Sequence, residues 1–138
     1  MTPSSSIGSD LARYRLLFLV AAVYDAALGI AFFFAYEPLF EWLSMPLPPH
    51  VSYIQLSAVF VFVQGLSYAL VWLDPLRNLA LVRVGVAYKA GYAGLAAYYL
   101  ATDQIPAMFF AWFGLFDLLF LVAFVWFLRW ARRVESPA

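Results

Sequence analysis

Three ionisable residues, Asp25, Lys89 and Asp117, stand inside otherwise apolar stretches of this chain. Each lies about 12 residues from an arginine: Asp25 from Arg13, Lys89 from Arg77 and Asp117 from Arg129. At ~1.5 Å per helical residue all three reach a common level roughly 18 Å beyond the arginines, near the middle of a ~30 Å hydrocarbon layer. Gln64, counted from Asp74, falls at the same level. An ammonium between two carboxylates leaves a formal charge of minus one when all three are ionised, so Asp25 and Asp117 are expected to share a proton around Lys89. Such a cluster suits three kinds of chemistry: locking helix register, holding a ligand or ion, or general acid–base work. Tyr24, Tyr68, Tyr88 and Tyr92 flank the charged layer and suit the wall of a pocket for a flat hydrophobic molecule.

At about 100° per residue, each polar group shares a helical face with small or aromatic neighbours. Asp25 goes with Gly29, Lys89 with Gly85 and Tyr92, Asp117 with Gly114 and Leu121, and Gln64 with Tyr53, Ser57 and Tyr68. Small residues let membrane helices approach closely, so these faces are expected to point inward. The spacings Ala87-x-x-x-Gly91 and Ala90-x-x-x-Gly94 suggest another close contact, within the protein or with a partner.

The elements that must position these residues are four apolar stretches, at about 16–36, 51–73, 79–101 and 105–128. The chain is 66% hydrophobic and only 12% charged, against about 45–50% and about 25% in soluble domains. Each stretch exceeds the roughly 20 residues a membrane-crossing helix needs, and none alternates as a strand would. The expectation is one all-α domain over residues 1–138, an integral-membrane up-down four-helix bundle with spans near 13–36, 51–73, 76–101 and 105–130. Asp74 and Pro75 read as the N-cap and first residue of the third span, and Pro106 opens the fourth. These short turns predict that the second and third spans, and the third and fourth, are antiparallel neighbours. Residues 37–50 divide into a short interfacial helix carrying Trp42 and an extended stretch holding Pro46, Pro48 and Pro49. The serine-rich residues 1–9 read as a disordered tail.

Charge sets the expected topology. Arg13 and Arg15, Arg77 and Arg83, and Arg129, Arg132 and Arg133 cluster at alternate ends of the spans, while the other two loops hold no Lys or Arg. The positive-inside bias then places both termini in the cytoplasm of a multi-pass inner-membrane protein. The first apolar run is read as a span rather than a cleaved signal, because it outruns the usual signal core. Arg83 is close enough to the boundary to snorkel. The lipid bilayer is the expected partner, and nothing points to nucleic acid. With no cysteine and a solitary histidine, His50, no cofactor or metal is expected. A short internal similarity, Tyr24-Asp25-Ala26 against Tyr88-Lys89-Ala90, hints at a doubled unit.

At YDAALG (24–29), DPLRN (74–78), Tyr88-Lys89 and FGLFDLLF (113–120) the chain resembles small uncharacterised bacterial four-helix membrane proteins, broadly the DoxX-like group. That resemblance implies a four-helix bundle in a bacterial inner membrane and no assigned activity. A looser likeness, to sterol-isomerase-like and sigma-receptor-like bundles, concerns fold alone. Three functions follow, in order. The first is a non-enzymatic accessory or structural subunit packed against a larger membrane complex. The alternative is a binder or carrier of a lipophilic or cationic small molecule using the Asp/Lys/Asp cluster. The third is a membrane-embedded isomerase, for which no nucleophile arrangement is visible.

Overall fold

The computed structural model describes residues 3–135, with side chains described from residue 7 onward. Among these residues the chain is helical and holds no strand. Helix α1 (Pro3–Phe34) leads through the short α2 (Tyr36–Trp42) to α3 (Ser52–Leu73), and α4 (Leu79–Ala101) follows. A single turn, α5 (Ala107–Phe109), then runs through a π-helical turn at Phe110–Gly114 into α6 (Leu115–Glu135). Because α1 starts at Pro3, the expected tail is helix from residue 3 on, and residues 1 and 2 lie outside the described residues.

Prolines and side-chain caps set the breaks. Pro46, Pro48 and Pro49 lie in the non-helical stretch after α2, and Pro38 sits in the first turn of α2, where a missing N–H removes no helical bond. The turn after α3 departs from expectation, since Asp74 ends α3 rather than capping α4, and Pro75 is a turn residue. Its carboxylate accepts from the Arg77 N–H at 3.3 Å, and Asn78 Nδ2 donates to the carbonyls of Leu70 (3.0 Å) and Asp74 (2.9 Å). Those carbonyls also accept from the backbone N–H groups of Asp74 (3.3 Å) and Asn78 (3.2 Å), so the asparagine reinforces the C-terminus of α3, and α4 starts at Leu79. Helices α2 and α4 end alike. Ser44 and Asp103 adopt left-handed backbone (φ 56° and 54°), while the next N–H reaches back five residues, Met45 to Phe40 and Gln104 to Tyr99. Glycine is the usual residue there; here polar residues take the place.

The long helices pack as two antiparallel pairs, α1 with α3 and α4 with α6. Small residues bring α1 and α3 into backbone contact. A Cβ on Gly29 would lie 2.8 Å from the Ala58 carbonyl oxygen, and one on Gly65 would lie 2.7 Å from Ala26 N. Arg15 Nε donates to the Trp72 carbonyl at 3.0 Å, closing the arginine-rich end of this pair. The short Asp74 turn does not make α3 and α4 close partners along their length; each packs mainly elsewhere. Gly91 and Gly94 face open space, so neither expected small-residue contact on α4 is made among the described residues.

The surface is apolar. Val23, Phe34, Phe60, Leu119 and Trp126 are each more than half exposed, whereas the charged residues buried among those described are Asp25, Lys89 and Asp117. A water-soluble protein shows the reverse, with charges outside and contiguous apolar patches limited to a few hundred Å². Three helical segments are long and apolar enough to cross a membrane: Ile7–Phe34, Ser52–Leu73 and Ala107–Glu135. Helix α4 has the length, 23 residues, but is diluted by Arg83, Lys89 and four tyrosines.

Candidate functional site: an ion cluster at the floor of an apolar cavity

The two helix pairs meet around one ammonium group. Lys89 Nζ, on α4, lies 2.8 and 2.9 Å from the two carboxylate oxygens of Asp25 on α1, and 2.7 Å from Asp117 Oδ1 on α6. An ammonium has three N–H donors, so Lys89 is fully used. Asp25 is engaged through both oxygens and Asp117 through one. No hydrogen bond joins the carboxylates to each other; among the described residues Lys89 is the link. The Lys89–Asp117 contact lies within the α4/α6 pair, and the Lys89–Asp25 contact ties that pair to α1/α3.

Aromatic rings complete the surroundings of the ammonium. The ring centroids of Tyr88, Phe120, Tyr68 and Tyr24 lie 5.3, 5.4, 5.6 and 5.7 Å from Nζ. Their negative faces attract a cation at this range, an effect that grows when water is excluded. Gly85 makes room for this arrangement, because a Cβ there would fall 2.7 Å from the Tyr68 ring. Tyr24 also fixes the neighbouring helix. Its hydroxyl donates to the carbonyl of Trp112, inside the π-helical turn, at 3.0 Å. Such turns interrupt the regular helical bonding and recur at functional sites.

The cluster divides the interior. Toward the arginine-rich end the space is filled by Phe18, Tyr68, Val71, Phe124 and Phe127, with Phe18 and Phe124 stacked at 4.9 Å. Toward the α2/α5 end the helices separate around a cavity of about 350 Å³. Asp25 and Asp117 stand at its floor with Tyr24, Tyr88 and Tyr92, and its walls are apolar: Leu28, Phe32, Ile54, Val61, Phe109 and Phe113. Phe40 of α2 and the exposed Tyr53 also line it. Ligand pockets typically span about 300–1,000 Å³, mostly apolar with a few convergent polar groups.

The sequence-derived candidates thus fall into three groups. Asp25, Lys89 and Asp117 touch; Tyr24, Tyr68 and Tyr88 surround the ammonium; Tyr92 stacks on Tyr88 at 6.5 Å and lines the cavity. Gln64 stays outside the ion cluster. Its Nε2 is buried without a hydrogen-bond partner among the described residues, as is the Tyr68 hydroxyl one turn along α3. Sequence reasoning missed Phe120 and the apolar walls. The signal was helical spacing, since Leu28 and Phe32 follow Asp25 by three and seven residues and Phe113 precedes Asp117 by four. Among the described residues no three His, Cys, Asp or Glu side chains converge as a metal site. No family model, curated protein or solved structure matches the chain.

Proposed function

We propose that this chain is a four-helix transmembrane bundle that binds a lipophilic small molecule in the cavity above the Asp25–Lys89–Asp117 cluster. One observation carries the reading: an apolar space of about 350 Å³ opens directly onto two buried carboxylates. A purely structural ion cluster needs no adjoining void, and unfilled apolar space forfeits packing contacts. Of the two leading functions drawn from sequence, this favours the binder over the accessory subunit. The arginines at one end support an orientation with both termini cytoplasmic and the cavity opening outward, in the bacterial inner membrane that the DoxX-like resemblance implies. Helix α4 completes the fourth span because its one deeply placed charge, Lys89, is matched by carboxylates from two other helices.

The accessory-subunit reading keeps one supporting feature, the uncovered glycines Gly91 and Gly94 on α4. Native mass spectrometry of protein released gently from membranes separates the two. The binder reading expects a small molecule retained by the wild type and lost from Val61→Trp, which fills the cavity while leaving the ion cluster intact. A bare small-molecule profile with a stoichiometric protein partner would replace it with the subunit reading.

A further inference from the structure

The floor of the cavity is chemically unequal, and the inequality specifies what sits on it. Both Asp25 oxygens are engaged by Lys89, but Asp117 uses only Oδ1; its Oδ2 has no hydrogen-bond partner among the described residues. Asp117 is 4% exposed and lines the cavity. This acceptor is open to the cavity rather than sealed, since the buried polar atoms without partners among the described residues are Gln64 Nε2 and the Tyr68 hydroxyl. A free acceptor at the floor of a largely apolar cavity is the point at which an occupant that carries a donor gains a hydrogen bond.

Charge narrows the donor. With both carboxylates ionised, the two stand against one ammonium and the cluster carries one negative charge in excess, which either the shared proton expected from the sequence or a cationic occupant cancels. Among the described residues no Lys or Arg lines the cavity, whose ionisable walls are Asp25, Asp117, Tyr24, Tyr53, Tyr88 and Tyr92. A neutral donor would satisfy the hydrogen bond but not the charge. A protonated amine satisfies both, and charge-assisted bonds are roughly twice as strong as neutral ones. Tyr88 and Tyr92, stacked 6.5 Å apart beside Asp117, offer the same aromatic faces to a ligand cation that Tyr88 already offers to Lys89. Beyond the floor the wall is Leu28, Phe32, Val61 and Phe113, which fits an apolar, ring-bearing body.

Building on the binding function above, we propose that the occupant is a lipophilic monocation, a protonated amine on a flat apolar body. Asp117 Oδ2 anchors its ammonium, while Asp25 holds Lys89 in place. Asp117 is therefore the residue that sets specificity, and Asp25 is a positioning residue.

The test uses the full chain in lipid nanodiscs, with naphthylmethylamine as the cationic probe and naphthylmethanol as its neutral isostere, each corrected for uptake by empty nanodiscs. The amine is expected to bind about 10- to 100-fold more tightly than the alcohol. Asp117→Asn should erase that ratio by weakening the amine alone, and Asp117→Glu should keep most of it. Should Asp117→Asn fail to fold, the ratio in the unaltered protein and in Asp117→Glu still decides. Equal binding of both probes would overturn the cation assignment while leaving the pocket. Tighter binding of the alcohol would overturn it too, by making Asp117 a protonated donor. Binding of neither above the empty-nanodisc level would overturn the pocket itself.

Discussion

Lys89 holds the interior together because its three N–H donors reach from α4 to carboxylates on two other helices, α1 and α6. Replacing it with Met leaves two carboxylates buried with no cation beside them. Breaking a buried ion pair this way costs about 3–5 kcal/mol, so Lys89→Met should lose that much stability by reversible unfolding in detergent. Removing all three charges with Asp25→Asn, Lys89→Met and Asp117→Asn should recover most of the loss. A loss under about 1 kcal/mol for the single change would contradict the closed cluster. Tyr68 behaves differently, because its ring faces the ammonium while its buried hydroxyl has no hydrogen-bond partner among the described residues. Tyr68→Phe keeps the ring and removes the orphan group, and is expected to be neutral or stabilising by up to about 1 kcal/mol in the same assay. The meeting of Asp25, Lys89 and Asp117 was legible in the sequence, since counting from arginines gives depth. Depth does not give direction around the helix. Gln64 therefore looked like a member of the cluster, while Tyr68, one turn further on, is the α3 residue that reaches Lys89.

Glycines separate the helix contacts that carry packing from those that do not. Gly65 lets the backbones of α1 and α3 touch, so any larger residue must part the helices. Gly65→Leu should cost at least about 1–3 kcal/mol, the usual penalty of overpacking, and should loosen α1 from α3. Gly91 meets nothing within 4 Å. Gly91→Ala should instead gain roughly 0.5–1 kcal/mol from helix propensity alone. Thermal unfolding of the two variants checks both signs, and destabilisation by Gly91→Ala would reveal a covered α4 face. Which helices pair was hidden by the turns. Five residues between α3 and α4 suggested close neighbours, yet Ala22, Ala26 and Gly29 on α1 and Ala58 and Gly65 on α3 decide the pairing, because backbone contact needs small residues on both sides. The break before α6 was also only partly legible. Pro106 marks it, but nothing local marks the π-helical turn that follows, whose Trp112 carbonyl accepts from the Tyr24 hydroxyl of α1.

At the scale of the whole molecule the organisation is inside-out, with an apolar exterior around a small charged centre. Composition made the apolar exterior and the helical class legible. The cavity was not, because it arises where α1/α3 and α4/α6 part above their shared ion cluster, and no single segment encodes that separation. A membrane position for the cluster requires α4 to cross the bilayer, although α4 is not among the three segments apolar enough by themselves to do so. Lys89 is then an internal counter-ion rather than an exposed charge. The absence of cysteine allows a direct measurement of this point. Asp74→Cys and Gln104→Cys, made separately at the two ends of α4, are labelled with a membrane-impermeant maleimide on intact and on permeabilised cells. The expected result is labelling of residue 104 from outside and of residue 74 only after permeabilisation. Labelling of both residues from the same side would contradict it, because α4 and Lys89 would then lie outside the membrane.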